Sequence, residues 1–237
     1  MFLDKILLIS CAAGICTALG AVILFIKREF NNRSLAIFLG LASGVMIAVV
    51  VFDMMPSAII FSGHKKAFLG LIIGMLLLSI VDKLIYKRVS IEDTLIGLGY
   101  LIMLGIAMHD LPEGMAIALG DEMKGRTGMV IALGIGIHNI PEGMAIAAPL
   151  LMARVSRLRI LMQTLLVGLI TPLGTIIGKI TVVILPQLLP FLLGLASGIM
   201  VYLVMFQLWP EAGIKDKRSR WIGFWAGIAI IFIATFF

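Results

Sequence analysis

The sequence predicts an all-α polytopic membrane protein of eight transmembrane helices, in which helices 1–3 recur as an inverted repeat in helices 6–8 around central helices 4 and 5. Three observations predict it. Apolar residues make up 61% of the chain and charged residues only 14%, where a soluble domain carries about a quarter charged. The apolar residues also fall into eight runs, at 6–26, 34–60, 67–87, 94–119, 127–151, 158–179, 187–210 and 220–237. Runs of about 20 residues are what a hydrocarbon core requires. Finally, two pairs of stretches repeat at fixed offsets, as set out below. The connecting loops are too short for a soluble domain, so residues 1–237 read as a single transmembrane domain.

Span 1 (6–26) is too long for the 7–15-residue apolar core of a signal peptide, and the residues before it include both Asp4 and Lys5. Cys11 and Cys16 fall inside it and read as small packing residues rather than as a disulfide or a metal pair. Span 2 (34–60) carries LGLASGVMIAVVVFDMMPSA, with one acid, Asp53. His64, beside Lys65 and Lys66, reads as a solvated loop residue before span 3 (67–87), and Arg88 to Thr94 as a short turn after it.

Span 4 (94–119) and span 5 (127–151) hold near copies of one motif, HDLPEGMAIALG from His109 and HNIPEGMAIAAPL from His138, offset by 29 residues. In each copy the histidine and the glutamate are four apart, His109 with Glu113 and His138 with Glu142, so they share one helix face. Two antiparallel helices would bring both faces together, with Asp110 and Asn139 adjacent. Ionisable groups within a membrane are costly and mark a substrate path. Carboxylates and imidazoles neutralise one another poorly unless a cation lies between them, and a divalent metal supplies it. Pro112 and Pro141 cannot donate to the carbonyls of Met108 and Ile137, which predicts a kink beside each histidine. Gly114 and Gly143 allow a neighbouring helix to approach.

Span 6 (158–179) contains GTIIGK, a near miss to a phosphate loop, with three residues between its glycines instead of four. It reads instead as a small-residue helix contact through Gly174 and Gly178. Span 7 (187–210) carries LGLASGIMVYLVMFQLWPEA, which matches the span 2 stretch at a constant offset of 154. Spans 2 and 7 are five crossings apart and run in opposite directions. Spans 4 and 5 also run oppositely, so one pseudo-two-fold axis in the membrane plane relates both pairs, as in secondary transporters. Span 8 (220–237) completes the set.

Basic residues predict the orientation. Arg28, Arg33, Lys87, Arg88, Arg154, Lys217 and Arg218 are among thirteen on the side of the loops after spans 1, 3, 5 and 7, against six opposite. The richer side is expected to be cytoplasmic, leaving both termini outside a cell membrane. The net charge of +6 is then a topology signal, and its scatter over loop ends argues against nucleic-acid binding. The partners expected are the lipid bilayer and divalent metal ions. The pairs Gly40/Gly44 and Gly194/Gly198 suit either a homodimer or internal packing.

HDLPEG and HNIPEG in consecutive spans resemble the signature of the ZIP (Zrt-/Irt-like) family of divalent metal transporters, and the resemblance covers the whole chain. It implies uptake of divalent transition metals, chiefly zinc and iron, into the cytoplasm, with the metal as cargo and no cofactor; imidazole and carboxylate donors without thiolate also suit manganese, cobalt or cadmium. It implies metal ligands at His109, Asp110 and Glu113 of span 4 and at His138, Asn139 and Glu142 of span 5, with Glu113 and Glu142 bridging two metal positions. Many relatives carry a glutamate before Pro-Leu-Gly in span 6, where this chain has Thr171. Asparagine is frequent where this chain has Asp110. One carboxylate is thus lost and one gained, and Asp110 is expected to compensate for Thr171. In span 7 the family often shows His-Glu where Phe206 and Gln207 stand. Asp53 is expected either as an entrance ligand or as a structural hydrogen-bonding group. Gln207 and Glu211 are the candidate ligands on the exit side, where the missing His-Glu pair argues against a cytoplasmic metal station. An intramembrane metalloenzyme or a metal sensor would need similar donors. The chain has no H-E-x-x-H helix, however, and inverted symmetry has no evident use in a hydrolase.

Overall fold

The computed structural model describes residues 5–27, 29–62, 64–86, 94–123, 125–184 and 186–236, and among them there is no strand. Arg28, Lys87, Arg88 and Lys124, and the turn expected over 88–93, lie outside the described residues. Among the described residues, eight helical spans are long and apolar enough to cross a membrane: Lys5–Phe25, Asn32–Ile60, His64–Leu84, Leu95–Glu122, Thr127–Met152, Arg157–Thr181, Leu189–Lys215 and Lys217–Phe236. They are numbered spans 1 to 8 as above. The protein is an integral membrane protein.

Burial separates the spans into an inner and an outer set. The most apolar windows of spans 2 and 7 are 67% buried, whereas those of spans 3 and 8 are 28% and 22% buried. Span 3 therefore presents Leu69, Ile72, Leu76, Ile80 and Leu84 outward at helical spacing, which is the lipid-facing stripe of a peripheral helix. Leu35, Leu39, Met46, Ile102, Ile146 and Ile199 are fully buried and fill the interior.

Apolar burial does little to drive helix association in lipid, so close packing of small residues carries it instead. A Cβ at Gly40 or Gly44 would strike the backbone of Arg220 or Phe224 in span 8. At the matching positions, Gly194 and Gly198 meet the backbone of Ala67 and Leu71 in span 3. These glycine faces are thus used in internal packing. Gly174 and Gly178 likewise press on Leu111 and Met115 of span 4, the small-residue contact read from GTIIGK.

The remaining packing pairs are these. Span 2 packs on span 8 and span 7 on span 3, while span 1 packs on span 5 and span 6 on span 4. Gly14 and Gly168, which are 154 apart, lie directly against each other. Both inner spans contain a π-helical turn, Val50–Met54 and Val204–Leu208, again 154 apart. The physical cause is downstream. Pro56 and Pro210 have no N–H for the carbonyl four residues back. The ladder widens just before each, with Met55 N–H donating to Val50 O and Trp209 N–H to Val204 O.

Pro112 and Pro141 lie inside the continuous helices Thr94–Met123 and Gly125–Met152. Three details differ from expectation. Span 6 is interrupted at Leu169, between Arg157–Gly168 and Ile170–Ile184, and span 7 continues to Lys215. His64 is exposed as expected, but it begins the span 3 helix instead of sitting in a loop. Cys11 and Cys16 are free thiols.

Candidate metal centre

The continuous helices of spans 4 and 5 pack on each other and turn both motif faces inward. His109, Asp110, Asn139 and Glu142 are fully buried, with Glu113 and His138 at 2% and 3% exposure. The histidines bond across the interface to the other helix's glutamate. His109 Nε2 lies 3.1 Å from Glu142 Oε1, and His138 Nε2 lies 3.1 Å from Glu113 Oε2. Each pair is the other's counterpart at the 29-residue offset. This exchange holds the two motifs face to face.

The hydrogen bonds of His109 define its chemistry. Its Nδ1–H donates to the Gly105 carbonyl at 2.9 Å, since a carbonyl only accepts. A neutral His109 therefore aims the Nε2 lone pair at Glu142, and Asp110 Oδ1 is 3.6 Å from that same nitrogen. Three acceptors converge, and only a proton or a cation satisfies them together. One donor atom from each of His109, Asp110 and Glu142 falls within 4.8 Å of the others. Tetrahedral zinc with bonds of about 2.0–2.1 Å separates its ligand atoms by about 3.3–3.4 Å, close to the 3.1 and 3.6 Å measured from His109 Nε2.

The unpartnered buried atoms have the same character. Asp110 Oδ1 and Oδ2, Glu113 Oε1, Asn139 Oδ1 and Glu142 Oε2 have no hydrogen-bond partner. All five are acceptors, so the site lacks positive charge and not further acceptors. The second half of the motif is held differently. Asn139 Nδ2–H donates to the Ala13 carbonyl of span 1 at 3.0 Å, leaving its oxygen free. The residue 154 further on from Ala13 is Val167 of span 6. An ionised Asp110 cannot donate to a carbonyl.

Thr171 is fully buried beside the cluster, where its carbonyl would block a Cβ on Gly114. Thr17, which sequence reasoning missed, stands in the same relation to Gly143. Both hydroxyl oxygens are unpartnered. The offset of 154 that links the LGLASG stretches also links Thr17 to Thr171, and would have found it. A cleft lined by Asp53, Ser57, Met54 and Leu193 leads to Glu113 and His138, with Ser57 O–H donating to Asp53 Oδ1 at 3.3 Å.

Gln207 and Glu211 are not brought to this cluster. Gln207 donates from Nε2 to Asp82 Oδ2 at 2.6 Å, and Tyr202 O–H donates to the same oxygen at 2.8 Å. Glu211 pairs with Lys215 at 3.1 Å. Asp82, buried at the end of span 3, is a second residue that sequence reasoning missed.

Comparison with known proteins gives the family. The sequence pattern of the ZIP zinc transporter family matches residues 88–235. The chain belongs to that family. Similar proteins include the zinc transporter ZupT of Streptococcus mutans, 31% identical over 89% of this chain and 88% of that one. ZupT of Chlorobium luteolum is 34% identical over 95% and 94%. The zinc transporter ZTP29 of Arabidopsis thaliana is 33% identical over 86% and 83%. Membership of the ZIP family places the chain among metal transporters and not among enzymes.

Proposed function

We propose that this chain carries zinc across the membrane into the cytoplasm, through a site built from His109, Asp110 and Glu142 and continued by Glu113, His138 and Asn139. The observation that carries the reading is the buried cluster of converging acceptors between spans 4 and 5. The zinc-transporter names of its relatives support zinc as the cargo. Imidazole and carboxylate without thiolate also suit ferrous iron, manganese, cobalt and cadmium. The excess of basic residues in alternate loops supports a cell-membrane orientation with both termini outside.

In this reading a metal ion enters along the cleft past Asp53, exchanges water for the Glu113 and His138 side chains, and passes to the three-donor set. The matched offsets and packing pairs support two halves related by an axis in the membrane plane, with the site on that axis. Thr171 and Thr17 flank the site as hydroxyl groups, and Asp110 supplies the charge that a glutamate at 171 would have brought. Gln207 has its amide engaged by Asp82, which supports a structural role for it.

Zinc and cadmium uptake into proteoliposomes of the purified chain tests this, with the Glu113→Ala/Glu142→Ala double variant alongside. Uptake that disappears in the variant is the expected result. Equal uptake in both would overturn the proposed route. Stoichiometric binding without uptake in the parent chain would overturn the transport reading itself.

A further inference from the structure

All three tryptophans of the chain lie together at one end of the bundle, remote in sequence from the metal motifs. Trp209 of span 7 packs edge-on to Trp221 of span 8 at 4.7 Å between centroids, and Trp221 stacks with Trp225 at 6.4 Å. Trp221 and Trp225 remain 46% and 61% exposed, as expected for rings at a membrane–water interface. The Arg220 guanidinium sits 4.0 Å over the Trp209 ring and donates to the Trp209 carbonyl at 3.3 Å. Its Nε–H is buried and has no partner.

Charge at this end is one-sided. Arg33 and Arg218 lie near Asp216, and Lys215, Lys217 and Arg220 are its close neighbours in sequence; Asp216 and Glu211 are both already engaged. Glu211 is paired with Lys215 at 3.1 Å. Asp216 Oδ1 accepts the Ser219 backbone N–H at 2.6 Å and caps span 8. A topology signal requires only loop charges. Here a half-buried guanidinium is packed on an aromatic ring, next to exposed rings and the outward Ile222. That combination suits a phosphate joined to acyl chains.

We propose that this end of spans 7 and 8 is a binding site for an anionic phospholipid of the adjoining leaflet. The headgroup phosphate accepts from Arg220, the neighbouring Lys217 and Arg218 add attraction, and an acyl chain lies along Trp221, Ile222 and Trp225. The site is separate from metal transport and stands whether or not zinc is the cargo.

Because no tryptophan lies elsewhere, intrinsic fluorescence reports on this site alone. The full chain is reconstituted in phosphatidylcholine vesicles containing small fractions of brominated phosphatidylglycerol or brominated phosphatidylcholine. Brominated phosphatidylglycerol is expected to quench at a several-fold lower mole fraction. Arg220→Gln should remove roughly fivefold of that preference, the worth of one basic residue near a charged leaflet. Should that variant fail to fold, Lys217→Gln/Arg218→Gln, at exposed positions, decides in its place by the same loss. Equal quenching by the two lipids, or a preference that survives these substitutions, would overturn the proposal. Displacement of the brominated lipid by millimolar inorganic phosphate would also overturn it, showing a soluble-anion site instead.

Discussion

His109 and Glu142 are 33 residues apart in sequence, yet His109 Nε2 approaches Glu142 Oε1 to 3.1 Å in a fully buried setting. With Nδ1–H committed to the Gly105 carbonyl, the facing atoms are a lone pair and a carboxylate oxygen. His138 and Glu113 repeat the contact at the same distance, but only the His109 pair has a further carboxylate, Asp110, on the same nitrogen. The two half-sites are therefore related in geometry and unequal in charge.

That inequality predicts unequal mutants. Glu142→Gln removes a member of the three-donor set, while Glu113→Gln removes a residue outside it. Zinc affinity, read by competition with a chelating dye, should fall about 10–100-fold for Glu142→Gln and by a smaller factor for Glu113→Gln. Equal losses would mean that both glutamates bridge the metal equally.

Asp110→Asn should act oppositely on binding and on stability. The variant loses the carboxylate that faces His109 and should bind and transport zinc more weakly, by at least about tenfold. If the 154-residue offset from Ala13 to Val167 carries over to packing, its new N–H donates to the Val167 carbonyl as Asn139 donates to that of Ala13, worth about 1 kcal/mol. Metal-free thermal unfolding should therefore shift upward. Thr171→Val removes only a hydroxyl and should impair uptake far less. Comparable small losses from both changes would refute compensation by Asp110.

Much of this site was legible because its chemistry is local. A histidine and a glutamate four residues apart, written twice in apolar runs, mark the buried face without knowledge of any contact. The repeat of LGLASG likewise marks the two inner spans. What the sequence left hidden is non-local. Asp82 meets Tyr202 and Gln207 across 120 and 125 residues, and no short pattern announces that meeting. The crosswise exchange of histidines and glutamates is also invisible, since spacing along one helix says nothing of which partner the next helix supplies. The prolines divided by context. Pro56 and Pro210 follow π-helical turns, whereas Pro112 and Pro141 lie inside α-helical runs.

Zinc loading should weaken as pH falls, and the sign follows from the donor set. Ligation needs neutral His109 and ionised Asp110 and Glu142, so protons compete for the same atoms. Each proton displaced steepens the dependence by about tenfold in affinity per pH unit below the histidine range. Between pH 7.5 and 5.5, zinc affinity in detergent is expected to drop while the apo protein stays folded by circular dichroism. Release of protons on zinc addition in weak buffer is the direct check. Loading that strengthens toward acid pH would exclude these residues as the ligands.

The packing symmetry around the site makes a final prediction about stability. Gly143 and Gly114 sit against the carbonyls of Thr17 and Thr171, with no room for a methyl group. Backbone cannot move aside as a flexible side chain can, so Gly143→Ala and Gly114→Ala must push span 1 or span 6 away. Each should cost about 1–3 kcal/mol. The two costs should be similar because the contacts are counterparts. Gly134 lies in the same helix as Gly143 but has nothing within 4 Å of a built Cβ. Gly134→Ala should be neutral or stabilising by up to about 1 kcal/mol, since alanine is the better helix former. Thermal unfolding of the three variants in one detergent separates these outcomes. A destabilised Gly134→Ala, or an unaffected Gly143→Ala, would show that close approach of spans 1 and 5 is not what these glycines provide.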